Sequence, residues 1–219
     1  MSASLLLLAD SQLLFREALS PVLHGFIKRD FAHGQSAVYF GAANGHQPEF
    51  YDLAQQGLAC LFGRPLQTQM IDDASLLPPQ PANVVVLAGG NVTAGWQWLS
   101  DPAVMSWLHR CYRTNALIIG VSAGAIHMAR GTDPESGVDE VAAIQPQRFL
   151  DWLPYGVAVH EESLGWPSLK VMAQCKPNWK RLAIPMGGGL FVHQEQTHSV
   201  GNACFFESGA TTQSREKPC

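Results

Sequence analysis

The sequence predicts an α/β fold: a mostly parallel sheet covered by helices on both faces. Two observations carry this. Short runs of apolar residues, of the kind that make fully buried strands, alternate along the chain with longer segments of helical periodicity. The turns that follow several of these runs are rich in glycine, as expected where a parallel sheet builds a site at its C-terminal edge. Length and composition agree. At 219 residues, 47% hydrophobic and 15% charged, the chain can bury a substantial core, and length favours one domain over residues 1–209 with a mobile tail at 210–219.

In chain order, Ser4 to Ala9 reads as a buried strand ending in an Asp10-Ser11 turn. Leu13 to Ile27 carries apolar residues at helical spacing, with Pro21 able to kink or restart the helix. Ala37 to Phe40 is a second strand, ending in the turn Gly41-Ala42-Ala43-Asn44-Gly45. Phe50 to Phe62 is a helix stopped by Gly63 and Pro65, and Thr68 to Ile71 a weak third strand. Asn83 to Ala88 is the strongest strand and runs directly into Gly89-Gly90-Asn91. Pro102 to Arg113 is helical. Beyond residue 130 the pattern is mixed: Arg130 to Glu140 reads as a loop over the site, Tyr155 to His160 as a strand, and Arg181 to Ile184 as the approach to a Pro-Met-Gly-Gly-Gly turn. Leu190 to His193 follows, and Ala203 to Phe206 reads as an edge strand.

Everything converges on residues 117–129, LIIGVSAGAIHMA. A serine flanked by glycines two residues to either side, between a strand and a helix, is the nucleophile-elbow pattern. The same five residues also describe a small-residue turn with a buried structural serine. A serine nucleophile needs a base, usually histidine. Of eight histidines, His127 lies on the elbow's own helix and should project away. His193 and His198 fall in a late hairpin-like region. His160 ends a strand and could emerge beside Ser122. The Gly89-Gly90-Asn91 turn could offer backbone N–H groups to an oxyanion, together with the N–H of Ala123.

Other function classes find little support. The formal net charge is −4 with no basic block, so no nucleic-acid surface is expected. Five scattered cysteines without paired spacing suggest reduced thiols and a cytoplasmic protein, and no metal or cofactor is expected. No stretch approaches the length of a membrane span. A homodimer stays open.

The segments VVVLAGGN, LIIGVSAGA, DWLPYGVAVH and AIPMGG, in this order and spacing, resemble the peptidase E and cyanophycinase family of serine peptidases. The resemblance covers most of the chain and implies the three-layer, flavodoxin-like fold of class I glutamine amidotransferases, with serine replacing their cysteine at the elbow. It implies a hydrolase of small peptides or amides, including dipeptidase activity. Ser122 would be the nucleophile, His160 the base, and Gly90 with Ala123 the oxyanion donors, with Gly89 also at the substrate-binding turn and Asn91 of the same motif shaping the pocket.

Two departures qualify the transfer. The family's glutamate, which orients the histidine, falls on Met186 in Ile184-Pro185-Met186-Gly187. Substitute acids are Glu161, Glu162, Asp139, Glu140 and Glu195. Between His160 and Pro185 the chain is shorter than the family's dipeptidases and has no arginine before Arg181. Lys170 could supply charge but not a guanidinium fork. Trp166 and Trp179 suggest a more apolar pocket, so strict N-terminal aspartate specificity is not expected. The rival to a hydrolase is a degenerate relative that keeps the pocket and binds without efficient catalysis.

Overall fold

The structure, a computed structural model, describes residues 3–15, 21–31, 36–132 and 147–207. Five strands pair in parallel: β1 (Ser4–Leu8), β2 (Ser36–Phe40), β3 (Gln67–Met70), β4 (Val84–Leu87) and β5 (Leu117–Val121). Beyond β1 an antiparallel hairpin, β10 (Gly188–His193) and β11 (Gln196–Gly201), extends the sheet to the order β11-β10-β1-β5-β4-β2-β3. Every residue of β1 and β4 is buried, as continuous apolar runs require when both faces are covered.

The two faces separate by the strand period of two. Leu5, Leu7, Val85, Leu87 and Ile118 pack against Val104, Trp107 and Leu108 of α4 (Pro102–Arg113). Leu6, Leu8, Val84, Val86 and Ile119 pack against α1 (Pro21–Asp30) and α2 (Pro48–Phe62) through Leu23, Phe26, Ala54 and Leu58. Helix ends follow local chemistry. Pro48 opens α2, Gly63 closes it at φ +66°, and the Asp101 carboxylate accepts from the Ala103 and Val104 N–H groups at the start of α4. The helix expected from Leu13 instead begins at Pro21, after a 3₁₀ turn at Ser11–Phe15; residues 16–20 lie outside the described residues. Proline has no N–H and fits only a helix's first turn, so Pro21 starts α1.

A second sheet, absent from the sequence reading, has the order β12-β9-β8-β6-β7. It contains β6 (Gly131–Thr132), β7 (Gln147–Arg148), β8 (Tyr155–Val159), β9 (Lys180–Ile184) and β12 (Phe205–Glu207), with β8 and β9 parallel. The expected edge strand near Ala203 is β12, antiparallel to β9. Most of the expected covering loop and the whole 210–219 tail fall outside the described residues. Among the described residues there are three further α-helices: α3 (Val92–Leu99), α5 (Ala123–Met128) and α6 (Pro167–Cys175).

The link between the sheets positions the site. From the end of β9 the chain turns through 185–187 into β10, which pairs with β1 so that Gly189 faces Leu8. One Asp10 carboxylate oxygen accepts from the Gly187 N–H (2.7 Å), pinning that turn to the end of β1. The C-terminal ends of β5 and β8 are thereby brought together.

Candidate active site

Ser122 stands at the end of β5, with φ +49° and ψ −110°, outside the regions that L-residues favour. Such strain persists only where the surroundings enforce it. Here the Ser122 N–H donates to Leu8 O (2.8 Å), while Ser122 O accepts from Ala125 N (2.9 Å) and Ile126 N (3.1 Å). The flanking glycines are required sterically. A Cβ at Gly120 would lie 2.5 Å from Gly124 O, and one at Gly124 would lie 2.0 Å from Leu87 O. The chain must therefore turn sharply, leaving the hydroxyl half-buried at the sheet edge rather than in the core.

His160 meets it there. It directly follows β8, its N–H donates to Ile184 O (2.9 Å), and its Nε2 lies 2.8 Å from Ser122 Oγ. Its φ is +44°, so both members of the pair sit on strained backbone. An Nδ1–H tautomer leaves Nε2 to accept the serine proton.

Among the described residues, none of the named carboxylates completes this pair. Glu161 is held at the start of α6, where its oxygens accept from the Ser168 N–H (3.1 Å) and the Ser168 hydroxyl. One oxygen of Glu162 accepts from the Met186 N–H (3.0 Å). Glu195 lies in the β10–β11 hairpin, at the opposite end of the sheet. Asp139 and Glu140 fall outside the described residues. Among the described residues no side chain is hydrogen-bonded to His160 Nδ1. Met186, in the place the resemblance gives to an acid, is half exposed and borders the cavity beside Ser122 and His160.

Gly89 and Gly90 bring the end of β4 against two other turns. A Cβ at Gly89 would lie 3.2 Å from Ser122 Cβ; at Gly90, with φ +135°, it would lie 2.1 Å from Ala43 O. Asn91 locks the arrangement: its N–H donates to Ala43 O (2.8 Å) and its side-chain oxygen accepts from Ala94 N (2.7 Å), capping α3. It therefore frames the turn without lining the cavity. The N–H groups of Gly90 and Ala123 have no acceptor among the described residues. Ala123 directly follows Ser122 and Gly90 directly follows Gly89, whose Cβ position meets Ser122, although neither donor residue lines the cavity; a developing oxyanion requires donors of this kind.

The cavity in front of Ser122 holds about 260 Å³. The 41–45 turn, noted from sequence as a site-building position, contributes Asn44, whose Nδ2 donates to the Tyr39 hydroxyl (2.8 Å). Burial pushes the Tyr39 phenol above its ordinary pKa. Asp10, Leu14, Phe50 and Leu53 also line the cavity; the three apolar residues escaped the sequence reading because nothing local separates a pocket-lining apolar residue from a core one. The expected tryptophans are elsewhere. Trp166 packs edge-on against Phe205, and Trp179 lies beneath the Arg130 guanidinium. Lys170 does not reach the cavity, and no group of three or more metal-ligating side chains occurs among the described residues. No helix among them is long and apolar enough to cross a membrane.

His127, expected to project away from Ser122, serves the packing around α5. It is fully buried, and its Nε2–H donates to Val92 O (2.8 Å). Burial pushes its pKa down to about 4. The unfolded chain takes up this proton near pH 6.5, so it binds more protons than the folded state below that pH, and stability falls as pH drops from 6.5 to about 4. The expected loss is about 3 kcal/mol over that window. It should shrink in His127→Gln, as read from urea midpoints at pH 7 and pH 4.

No protein-family model matches the chain, and no curated protein matches it. Among solved structures, the chain is similar to a peptidase from an acI-B1 Actinobacterium, with a TM-score of 0.72 at 16% identity, covering 96% of this chain and 92% of that one. It is also similar to a protein from Listeria monocytogenes EGD-e provisionally named Peptidase E, with a TM-score of 0.61 at 13% identity, covering 93% of this chain and 100% of that one. The strand–elbow–helix architecture around Ser122 is therefore set in a peptidase E-like α/β fold, carried by a sequence with little identity to either structure.

Proposed function

We propose that the chain is a serine hydrolase of peptidase type, cleaving a small peptide or amide at Ser122. The observation that carries this reading is the 2.8 Å contact between Ser122 Oγ and His160 Nε2 on an elbow backbone. Ser122 Oγ attacks the substrate carbonyl carbon as its proton passes to His160 Nε2. The resulting oxyanion faces the Gly90 and Ala123 N–H groups. Collapse breaks the C–N bond, and the imidazolium returns the proton to the departing amine. Water, deprotonated by the same imidazole, then attacks the acyl-serine ester and releases the acid. The likeness to structures named as peptidases supports the reaction class. A fluorophosphonate should label the wild type and not Ser122→Ala. Labelling that is absent, or that persists in the variant, contradicts the proposal.

A second reading rests on Met186. A thioether cannot hold an imidazolium by charge, and in a serine protease loss of the triad acid costs about 10⁴-fold in turnover. On that reading the chain binds its ligand and turns it over poorly. Met186→Glu separates the two. If the orienting acid is missing, the variant should hydrolyse an amide at least about tenfold faster, with the gain in kcat rather than KM. An unchanged or lower rate means that the imidazole is already oriented in the wild type.

A further inference from the structure

Resting on the hydrolase reading, we infer that the Ser122 site selects substrates with a large apolar side chain on the acyl side of the scissile bond. The walls of the cavity carry this. Leu14, Ala54, Val86 and Ala88 are buried within it, and Leu53 and Val121 complete its sides. Among the described residues no lysine or arginine lines it. Its one carboxylate, Asp10, has each oxygen occupied by a backbone N–H, from Gln12 (2.9 Å) and from Gly187 (2.7 Å). An acidic side chain would lose its hydration there, find no cation, and meet a negative charge.

The mouth repeats the signal. Of the large hydrophobic residues exposed among the described residues, Phe50 (46%), Leu53 (36%) and Met186 (51%) all border this one cavity. Apolar surface left open around a concave site marks what the site binds.

The side of the bond follows from the placement of the base. The leaving amine must sit by His160 to receive its proton. His160 and Met186 are at the exposed rim, whereas the buried end of the cavity is formed by the ends of β1, β2 and β4 and by Ala54 of α2. That end is left for the acyl part.

Diphenyl phosphonates carrying Leu, Phe, Gly, Lys or Asp side chains test this, because phosphonylation of a serine does not require turnover. The phosphonate bonds to Ser122 Oγ as the P–O bond to one phenoxide breaks, and the serine proton passes through His160 to that oxygen, so that phenol leaves. The readout is the second-order rate at which each blocks subsequent fluorophosphonate labelling of the wild type. The Leu or Phe probe should react about ten- to a hundredfold faster than Gly or Asp, in keeping with burial of one large apolar side chain. Leu53→Lys, a substitution at a partly exposed position, should lower the Leu-to-Asp ratio. A fastest reaction with Asp or Lys, equal rates for Gly and Leu, or no phosphonate reaction where fluorophosphonate still labels Ser122 overturns the specificity and leaves the hydrolase reading intact. Absence of fluorophosphonate labelling overturns both.

Discussion

Ser122→Ala should lower kcat for an amide with a fluorescent amine leaving group by about 10⁴- to 10⁶-fold, with little change in KM or in the urea midpoint. The hydroxyl makes one side-chain hydrogen bond, to His160, and the strained backbone is enforced by the main-chain bonds to Leu8, Ala125 and Ile126. Alanine meets the same backbone demand as serine at φ +49°. The loss should therefore be chemical rather than structural. The residual rate would come from the Gly90 and Ala123 donors and from binding alone. A comparable fall in the midpoint would mean that Ser122 is a structural residue, the plainer alternative its sequence pattern allowed.

Gly124→Ala should have the opposite profile, a collapse of stability. The added Cβ would stand 2.0 Å from the Leu87 carbonyl oxygen and 2.6 Å from its carbon. Neither partner can yield cheaply, because β4 is hydrogen-bonded on both sides, to β2 and to β5. We expect at least about 3 kcal/mol of destabilisation, a large part of a typical domain's total. Gly25→Ala is the internal control. It lies within α1 with nothing within 4 Å of its Cβ position, so it should stabilise by about 0.5–1 kcal/mol. Urea midpoints of the three proteins read both effects. A wild-type midpoint in Gly124→Ala would mean that α5 does not pack against β4 as described.

The central strands and the elbow were legible because their signals are local: buried parallel strands are unbroken apolar runs, and a glycine-flanked serine marks the turn. His160 was one of several histidines that position left open, and the family resemblance singled it out. The second sheet was legible only as the separate strands β8 and β12, since β6 and β7, which complete it at one side, have two residues each, too few for periodicity. Helix α3 was hidden by Gly95 at its centre, ordinarily unfavourable in a helix. The glycine is there for packing: a Cβ would lie 2.6 Å from the His127 ring. The cavity walls were illegible for another reason. Phe50 and Leu53 fit the apolar pattern of α2, and only the fold turns them toward Ser122 rather than into the core. The candidate acids could be named but not ranked, because a carboxylate's partner depends on loop geometry. Glu161 is drawn to Ser168 and Glu162 to the Met186 N–H, by contacts that no spacing rule encodes.

The pairing of Ser122 with His160 is tested most directly by the rate of fluorophosphonate labelling in the wild type and in His160→Gln, with the adduct located by peptide mass spectrometry. The expected result is an adduct on Ser122 that forms at least about a hundredfold more slowly without the imidazole. An adduct on another residue, or equal rates in the two proteins, would contradict it.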